Sequence, residues 1–369
     1  MGIEAIDALR SDLPSLFVDR PPPADFEDHW VVIPDTAEAE LFEDVTLELS
    51  TTLERPPPLV PDLGEPFPGA PQGGGLWLPG APPPPPDALA FYLPFHYFHP
   101  RWWGIYVTVE GVLRIAEDLK LRGGCRVSQS HLRQVASWFL YGHEFFHHKS
   151  EVWATRTEIV QRQPLYVGPY EAQFRRHAGS DLWTEEAVAN AYAWCFVKRK
   201  TKNLGLPRVE RECILEALGR HIKESPPGYR MGARMLGDPL RSDGERTLAE
   251  EYMGAAGAFP VISSAAWKVF SHAFSGIINE GSRVNFVIRR GSPLLSRLRG
   301  AGRLVSARKL KRRLTASGCA RVRQGGSHEI WEGPSGRFQI PRHAGDLAAG
   351  TVRSILRQAG LVIPLSQLG

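Results

Sequence analysis

The sequence predicts an α+β multidomain protein, a mainly helical core with a small sheet followed by a small C-terminal α-β-β-β-α module. Three observations carry this. Residues 131–160 hold no Pro and one Gly, with Val135, Trp138, Phe139, Phe146 and Trp153 at helical spacing. Residues 303–361 pass from helical to alternating periodicity and back, with glycines at the changes. Charge is also segregated: residues 281–369 carry seventeen Lys or Arg against three Asp or Glu, although the 369-residue chain as a whole has a formal net charge of only +4.

The first hundred residues form their own compositional zone, with twenty of the 31 prolines and seventeen acids against three basic side chains. Pro21–Pro23, Pro56–Pro58 and Pro82–Pro86 read as stiff extended spacers. Val45–Leu53 alternates and reads as one strand, Trp77 and Leu78 sit in a Gly/Pro turn region, and an acidic Pro-rich region is assigned to residues 1–86. The core follows over residues 87–285. Phe91–Val109 is aromatic, and Trp102–Val107 reads as a buried strand leading into the long helix. Asp181–Trp194 reads as a second helix, with Thr184 as its cap and Glu185 and Glu186 in its first turn. Val209–Lys223 and Ala265–Ile278 read as further helices.

Residues 286–302 read as a basic linker with a short apolar element, Leu294–Leu298, and as a candidate cleavage site. In the module at 303–364, Ser306 is expected to cap a helix closed by Gly318. Three strands follow, and a last helix buries Val352, Ile355, Leu356 and Ala359 before Gly360. A hydrophobic content of 43% suffices for one core of about 200 residues and a small satellite.

The strongest chemical signal is His143-Glu144-Phe145-Phe146-His147 on the long helix. Residues four apart lie one turn above each other, so the two imidazoles can share one Zn²⁺ while Glu144 addresses a water beside it. A hydrolytic zinc needs a third protein ligand. Ser150 and Trp153 stand where a metzincin would have Gly and His, which excludes that subclass. Glu186 is the expected third ligand, with Asn190 one turn later supporting a ligand histidine; Glu185 and Glu151 are the alternatives. His148 faces about 100° away from His147 and reads as a neighbour. This set resembles the gluzincin arrangement of zinc metallopeptidases, which implies hydrolysis of a peptide or protein with Glu144 as general base. Tyr229, His177, His221 and Arg230 are candidates to stabilise the oxyanion, with Tyr229 favoured because a Pro-Pro-Gly turn precedes it.

The C-terminal signal lies in Gly326-Ser327-His328, Pro341-Arg342-His343 and Gly350-Thr351 with Ile355-Leu356 and Ala359-Gly360-Leu361. Over about sixty residues it resembles the HicA family of toxin-antitoxin ribonucleases, small domains with a double-stranded-RNA-binding-like fold. The resemblance implies a metal-independent, mRNA-cleaving endoribonuclease with His328 as catalytic residue, and a HicB-like antitoxin as possible partner. Glu329 departs from the family pattern, which has an aromatic residue or histidine there. Chemically, an imidazole with pKa near 6.5 can take the proton of a ribose 2′-hydroxyl. Arg308, Lys309, Arg312, Arg323, Arg342 and His343 are the expected RNA contacts, in keeping with the basic charge of this end.

Together these readings predict a bacterial fusion of a zinc peptidase and an RNA-cleaving toxin, a stress or phage-defence effector in which proteolysis controls the ribonuclease. The alternative is a zinc peptidase whose C-terminal domain only binds RNA or an antitoxin-like partner. The chain has no eighteen-residue apolar run and no signal-peptide pattern at its start, and Cys125, Cys195, Cys213 and Cys319 show no paired spacing. A cytoplasmic protein with reduced thiols and no membrane partner is therefore expected.

Overall fold

The computed structural model describes residues 10–12, 14–17, 30–33, 89–99, 102–123, 126–255, 257, 262–273, 284–289, 292, 304–325, 328–341 and 346–368. The strand expected at Val45–Leu53, the turn at Trp77 and Leu78, the tract Pro82–Pro86 and the element Leu294–Leu298 lie outside these. The chain divides into two units: Met1–Pro23 with Leu53–Val284, and Ala24–Thr52 with Asn285–Gly369. The acidic Pro-rich region at residues 1–86 is shared between the two units, and strand β1 (Trp30–Ile33) falls within the second.

In the first unit, β2 (Ala90–Leu93) and β3 (Gly104–Thr108) form an antiparallel hairpin, every residue of which is buried. Apolar runs without alternation are what a strand buried on both faces requires. Between them lies the one-turn helix α1 (Phe95–Phe98), and after β3 comes α2 (Val109–Gly123). Helix α3 (Gln129–Gln161) opens at Ser128, whose hydroxyl accepts from the His131 amide, and closes on Arg162 in the left-handed conformation. Its 33 residues span about 50 Å. A π-turn over Tyr166–Tyr170 leads into α4 (Glu171–His177), then α5 (Thr184–Lys200), α6 (Arg208–Lys223), a 3₁₀ segment (Tyr229–Arg234), α7 (Asp238–Ala255) and α8 (Ser264–Phe270). The helix expected to run to Ile278 is α-helical only to Phe270, with a 3₁₀ turn to Ala273 and no described residue beyond.

Helices α3 and α5 make the most extensive helix pair. Gly142 permits their close approach, since a Cβ there would stand 3.1 Å from Ala193 Cα. Thr184 does not cap α5. Trp183 holds the cap position without a side-chain bond, and the Thr184 hydroxyl donates to Glu251 Oε1 at 2.6 Å.

The core contains a buried polar system that the apolar pattern did not reveal. Glu151 accepts from the amides of Phe95 (3.1 Å) and His96 (2.8 Å), from His96 Nδ1 (2.7 Å) and from the Tyr92 hydroxyl. His96 Nε2 reaches Glu158 Oε2 at 3.0 Å, and the other Glu158 oxygen accepts from the amides of Leu165 and Tyr166. With a carboxylate on each ring nitrogen, both nitrogens must donate, so His96 is an imidazolium. Burial alone would lower its pKa, but Glu158 and Glu151 together lift it to about 9. The Tyr92 proton goes to Glu151, so His148 Nδ1, 2.8 Å from the Tyr92 oxygen, must be the protonated nitrogen of a neutral ring. Burial drives His148 down to about 3, which agrees.

In the second unit, β1 pairs antiparallel with β4 (Val284–Arg289), Trp30 opposite Arg289 and Ile33 opposite Phe286. The first residues of the stretch expected to be a linker are thus part of a strand. Beyond it, β5 (Leu304–Ser306) leads into α9 (Ala307–Ala316), the meander β6 (Ala320–Gly325), β7 (His328–Gly333), β8 (Gly336–Pro341), then β9 (Asp346–Ala348) and α10 (Ala349–Ala359). The expected α-β-β-β-α order is present, with β5 and β9 added as an antiparallel pair. Ser306 stands at the N-cap of α9 but makes no side-chain cap bond. Gly318 and Gly360 take the positive φ that ends α9 and α10. Both helices pack on one core with Trp331, Phe338 and Ile340 of the meander, and Val352, Ile355, Leu356 and Ala359 are all buried in it.

Candidate metal centre and candidate nuclease face

His143 and His147 lie one turn apart on α3, facing the first turns of α5. His143 Nε2 is 2.9 Å from Glu186 Oε2 and 3.3 Å from His147 Nε2, and His147 Nε2 is 3.6 Å from Glu186 Oε2. Donor atoms held at about 2.0–2.1 Å around a tetrahedral zinc are separated by roughly 3.3 Å. The three observed separations bracket that value. Among the described residues this is the one group of His, Cys, Asp or Glu with donors close enough to hold a metal ion.

The far sides of both rings are fixed. Asn190 Nδ2 donates to the Tyr229 carbonyl at 3.1 Å, which orients its Oδ1 to accept from His143 Nδ1 at 2.9 Å. His147 Nδ1 donates to Glu185 Oε1 at 2.9 Å, while the other Glu185 oxygen accepts from the Tyr170 hydroxyl at 2.6 Å. Each imidazole is thereby set to offer Nε2 to the common point. Glu185 thus lies behind His147, and Glu151 is fully engaged with β2 and α1. Glu186 alone of the three acids joins the imidazole Nε2 atoms.

Electrostatics follow from burial. Glu186 is driven down to about 2: burial alone would raise it, but His147 and His143 outweigh burial. The same carboxylates, Glu186 and Glu185, hold His147 well above its usual value against its own desolvation. Burial pushes Glu144 up to about 7 although both imidazoles pull it down. Glu144 Oε2 and Glu186 Oε1 are buried with no hydrogen-bond partner. Two imidazole nitrogens and a carboxylate oxygen at these separations, with unsatisfied carboxylate atoms beside them, fit a zinc ion.

Of the four residues considered for oxyanion stabilisation, one reaches the centre. The Tyr229 ring stacks on His143 with centroids 5.8 Å apart, and burial, with Glu186 and Glu144 nearby, holds its hydroxyl well above its usual pKa. Gly228 precedes it with φ 87°, a conformation that favours glycine. Two of the others are engaged elsewhere: His221 Nδ1 bonds Asp118 at 2.7 Å, and Arg230 pairs with Asp181 on the surface. His177 ends α4. Sequence reasoning missed Tyr170 and the role of Glu185, because what aligns them is contact between helices.

In the second unit His328 opens β7, part-exposed, opposite Gly325 of β6 and Pro341 of β8. Beside it Glu329 is buried, accepting from Lys311 Nζ and Trp331 Nε1, both at 3.0 Å. Those bonds hold its carboxyl below its usual range despite desolvation, so the side chain ties β7 to α9. Arg308, Lys309, Arg312 and Arg323 are all exposed. Gly326, Ser327, Arg342 and His343 lie outside the described residues.

The HicA toxin family of bacterial toxin-antitoxin systems matches residues 307–361. The match runs from the start of α9 to just past α10 and includes His328, so the C-terminal module is HicA-like and an endoribonuclease module of that kind is supported. No curated protein and no solved structure matches the chain. Cys195 and Cys319 are free thiols, whereas Cys213 is disulfide-bonded, a departure from the expected four reduced cysteines. Among the described residues no helix is long and apolar enough to cross a membrane.

Proposed function

We propose that the chain joins a zinc-dependent peptidase to a HicA-like mRNA-cleaving ribonuclease, with hydrolysis at the first controlling the second. The convergence of His143 Nε2, His147 Nε2 and Glu186 Oε2 carries the peptidase half of this reading, and the family match over residues 307–361 supports the other.

A Zn²⁺ held by His143, His147 and Glu186 would supply Lewis acidity, polarising a peptide carbonyl and acidifying a water beside it. Glu144, raised to about 7 by burial, can take that water's proton near neutral pH and return it to the leaving amine. Asn190 and Glu185 hold the two imidazoles. Tyr229, whose ring stacks on His143, would supply the hydroxyl that stabilises the oxyanion. At the other end, His328 accepts the proton of a ribose 2′-hydroxyl, and Arg308, Lys309, Arg312, Arg323, Arg342 and His343 engage phosphate. RNA, a peptide or protein substrate and a HicB-like antitoxin are the partners this implies.

The test is growth, RNA integrity and chain size on expressing wild type, Glu144→Gln and His328→Ala side by side. Arrest and RNA loss that His328→Ala abolishes support the ribonuclease, and equal arrest by both refutes it in favour of a module that only binds. A C-terminal fragment that disappears with Glu144→Gln supports control by proteolysis. Undiminished fragment in that variant refutes self-processing.

A further inference from the structure

The register of the meander decides which side chains stand next to His328. Along β7 successive residues face opposite sides of the sheet. Glu329 and Trp331 are buried on the side that carries α9 and α10, Glu329 accepting from Lys311 and Trp331 packing with Phe338 and Ile340. His328 and Ile330 therefore face the other side, together with the residues directly opposite them. For His328 these are Gly325 and Pro341, and for Ile330 they are Arg323 and Gln339. A bulge between Arg321 and Arg323 sets this alignment. Without the extra residue Val322, Arg323 would stand opposite Glu329 and turn toward the helices, so the bulge aims its guanidinium to the His328 side.

The face so defined is open. Arg323 and Gln339 are exposed, Val322 is 44% exposed, and His328 and Ile330 are part-exposed. Neighbouring strands lie about 4.8 Å apart, so Arg323 and Gln339 flank Ile330 with about 10 Å between their Cα atoms, one step of about 7 Å along the strands from the level of His328. At the next level Glu332 pairs with Arg337 at 3.9 Å and ends the open stretch with matched charge. Arg308, Lys309 and Arg312 belong to α9 on the other layer, so the groups beside His328 come from the sheet. Single-stranded RNA is read where bases splay from the stack and are hydrogen-bonded along their edges. A side-chain amide offers a donor and an acceptor at fixed spacing for such an edge, and a guanidinium suits phosphate.

We propose that the outer face of the β6–β8 meander seats single-stranded RNA at His328, with Gln339 reading a base beside the cut phosphate and Arg323 holding the backbone. This rests on the reading of the module as RNA-cleaving, and adds to it a sequence preference and the residue that sets it.

The experiment cuts a pool of random-sequence RNA with the full chain and sequences the new ends. Wild type should show at least about a fivefold preference for one base beside the cut, and Gln339→Ala should bring the four bases within about twofold of each other. Gln339→Glu, which offers acceptors alone, should move the preference toward cytosine and its N4 donor. Gln358→Ala, exposed on α10 of the other layer, should keep the wild-type preference. In a His328→Ala background, Arg323→Ala should weaken binding of all four homopolymers alike by anisotropy and reduce the salt slope by about one. No base preference in wild type, or the same preference in Gln339→Ala, would overturn the proposal. Absence of cleavage by the wild-type chain sinks the ribonuclease reading and moves the comparison to binding. There, a homopolymer preference lost in Gln339→Ala supports the seat, and one retained in it overturns it.

Discussion

Three buried acids, Glu151, Glu185 and Glu186, lie within reach of the long helix, and the structure gives them three different jobs. Glu186→Gln removes the anionic donor from the centre. Structural zinc sites with four ligands bind with about 10–16 kcal/mol, roughly 3 kcal/mol per ligand, so zinc affinity should fall about a hundredfold or more. Glu185→Gln keeps one acceptor oxygen for two donors, His147 Nδ1 at 2.9 Å and the Tyr170 hydroxyl at 2.6 Å. The orientation of His147 loosens, and the loss should be about tenfold, the lower end for groups that orient a ligand histidine. Glu151→Gln turns an amide NH₂ toward amide, imidazolium and hydroxyl donors that all need an acceptor. It should cost several kcal/mol of stability, about 3–5 by comparison with broken buried ion pairs, yet leave zinc affinity of the folded protein unchanged. The assay is zinc titration against a chromophoric chelator at pH 7.5, with thermal melts and circular dichroism on the same samples. Zinc affinity lost in Glu151→Gln and kept within threefold in Glu186→Gln would refute the ligand assignment.

Three further outcomes are expected. The raised pKa of His96 makes stability pH-dependent: the contribution is complete below the unfolded value of 6.5 and is lost as pH rises through about 9. The loss should reach about 3 kcal/mol, seen as a falling melting temperature between pH 6.5 and 9.5 that His96→Gln flattens. Gly232→Ala would set a Cβ 2.6 Å from the Ala187 carbonyl and 2.9 Å from Asn190 Cβ, so it should destabilise by about 1–3 kcal/mol and weaken zinc binding through Asn190, measured by the same titration. Trp331→Ala empties the centre of the HicA-like core and should lower stability by about 3–5 kcal/mol in denaturant melts while zinc content stays unchanged.

Legibility in the sequence followed the range of the interaction. The long helix, its five-residue motif and the final helix closed by Gly360 are local patterns, and the helices form within a few residues of where periodicity puts them. Glu186 and Asn190 could be named because both lie on one helix at fixed spacing. Glu185 could not be told from a helix-dipole carboxylate, since its engagement with His147 and Tyr170 depends on how α3 and the π-turn meet α5. Strand β1 was invisible for the same reason: four residues of a proline-rich, acidic region become a strand only because β4 supplies the partner. Thr184 does not cap because it is the first residue inside the helix, with Trp183 at the cap position, and its hydroxyl donates to Glu251, far along the chain.

Helix α3 carries two carboxylate systems that look alike in sequence, each a Glu near a His, and their hydrogen bonding separates them. Around Glu151 every oxygen is saturated by protein donors, and His96 is locked between two acids as an imidazolium. Such an arrangement fixes the packing of β2 and α1 on α3 and has no capacity left for a ligand. One to two turns earlier the bonding is incomplete in a directed way. The outward nitrogens of His143 and His147 are satisfied by Asn190 and Glu185, while both Nε2 atoms crowd one carboxylate oxygen, and Glu144 Oε2 and Glu186 Oε1 have no partner. An unpartnered buried carboxylate atom costs about 1–3 kcal/mol or more. Fold stability alone gives no reason to collect two of them at one point beside two imidazoles whose far sides have been so carefully tied. A cation at that point removes the cost, which is why the unsatisfied cluster and not the saturated one is the place to look for chemistry.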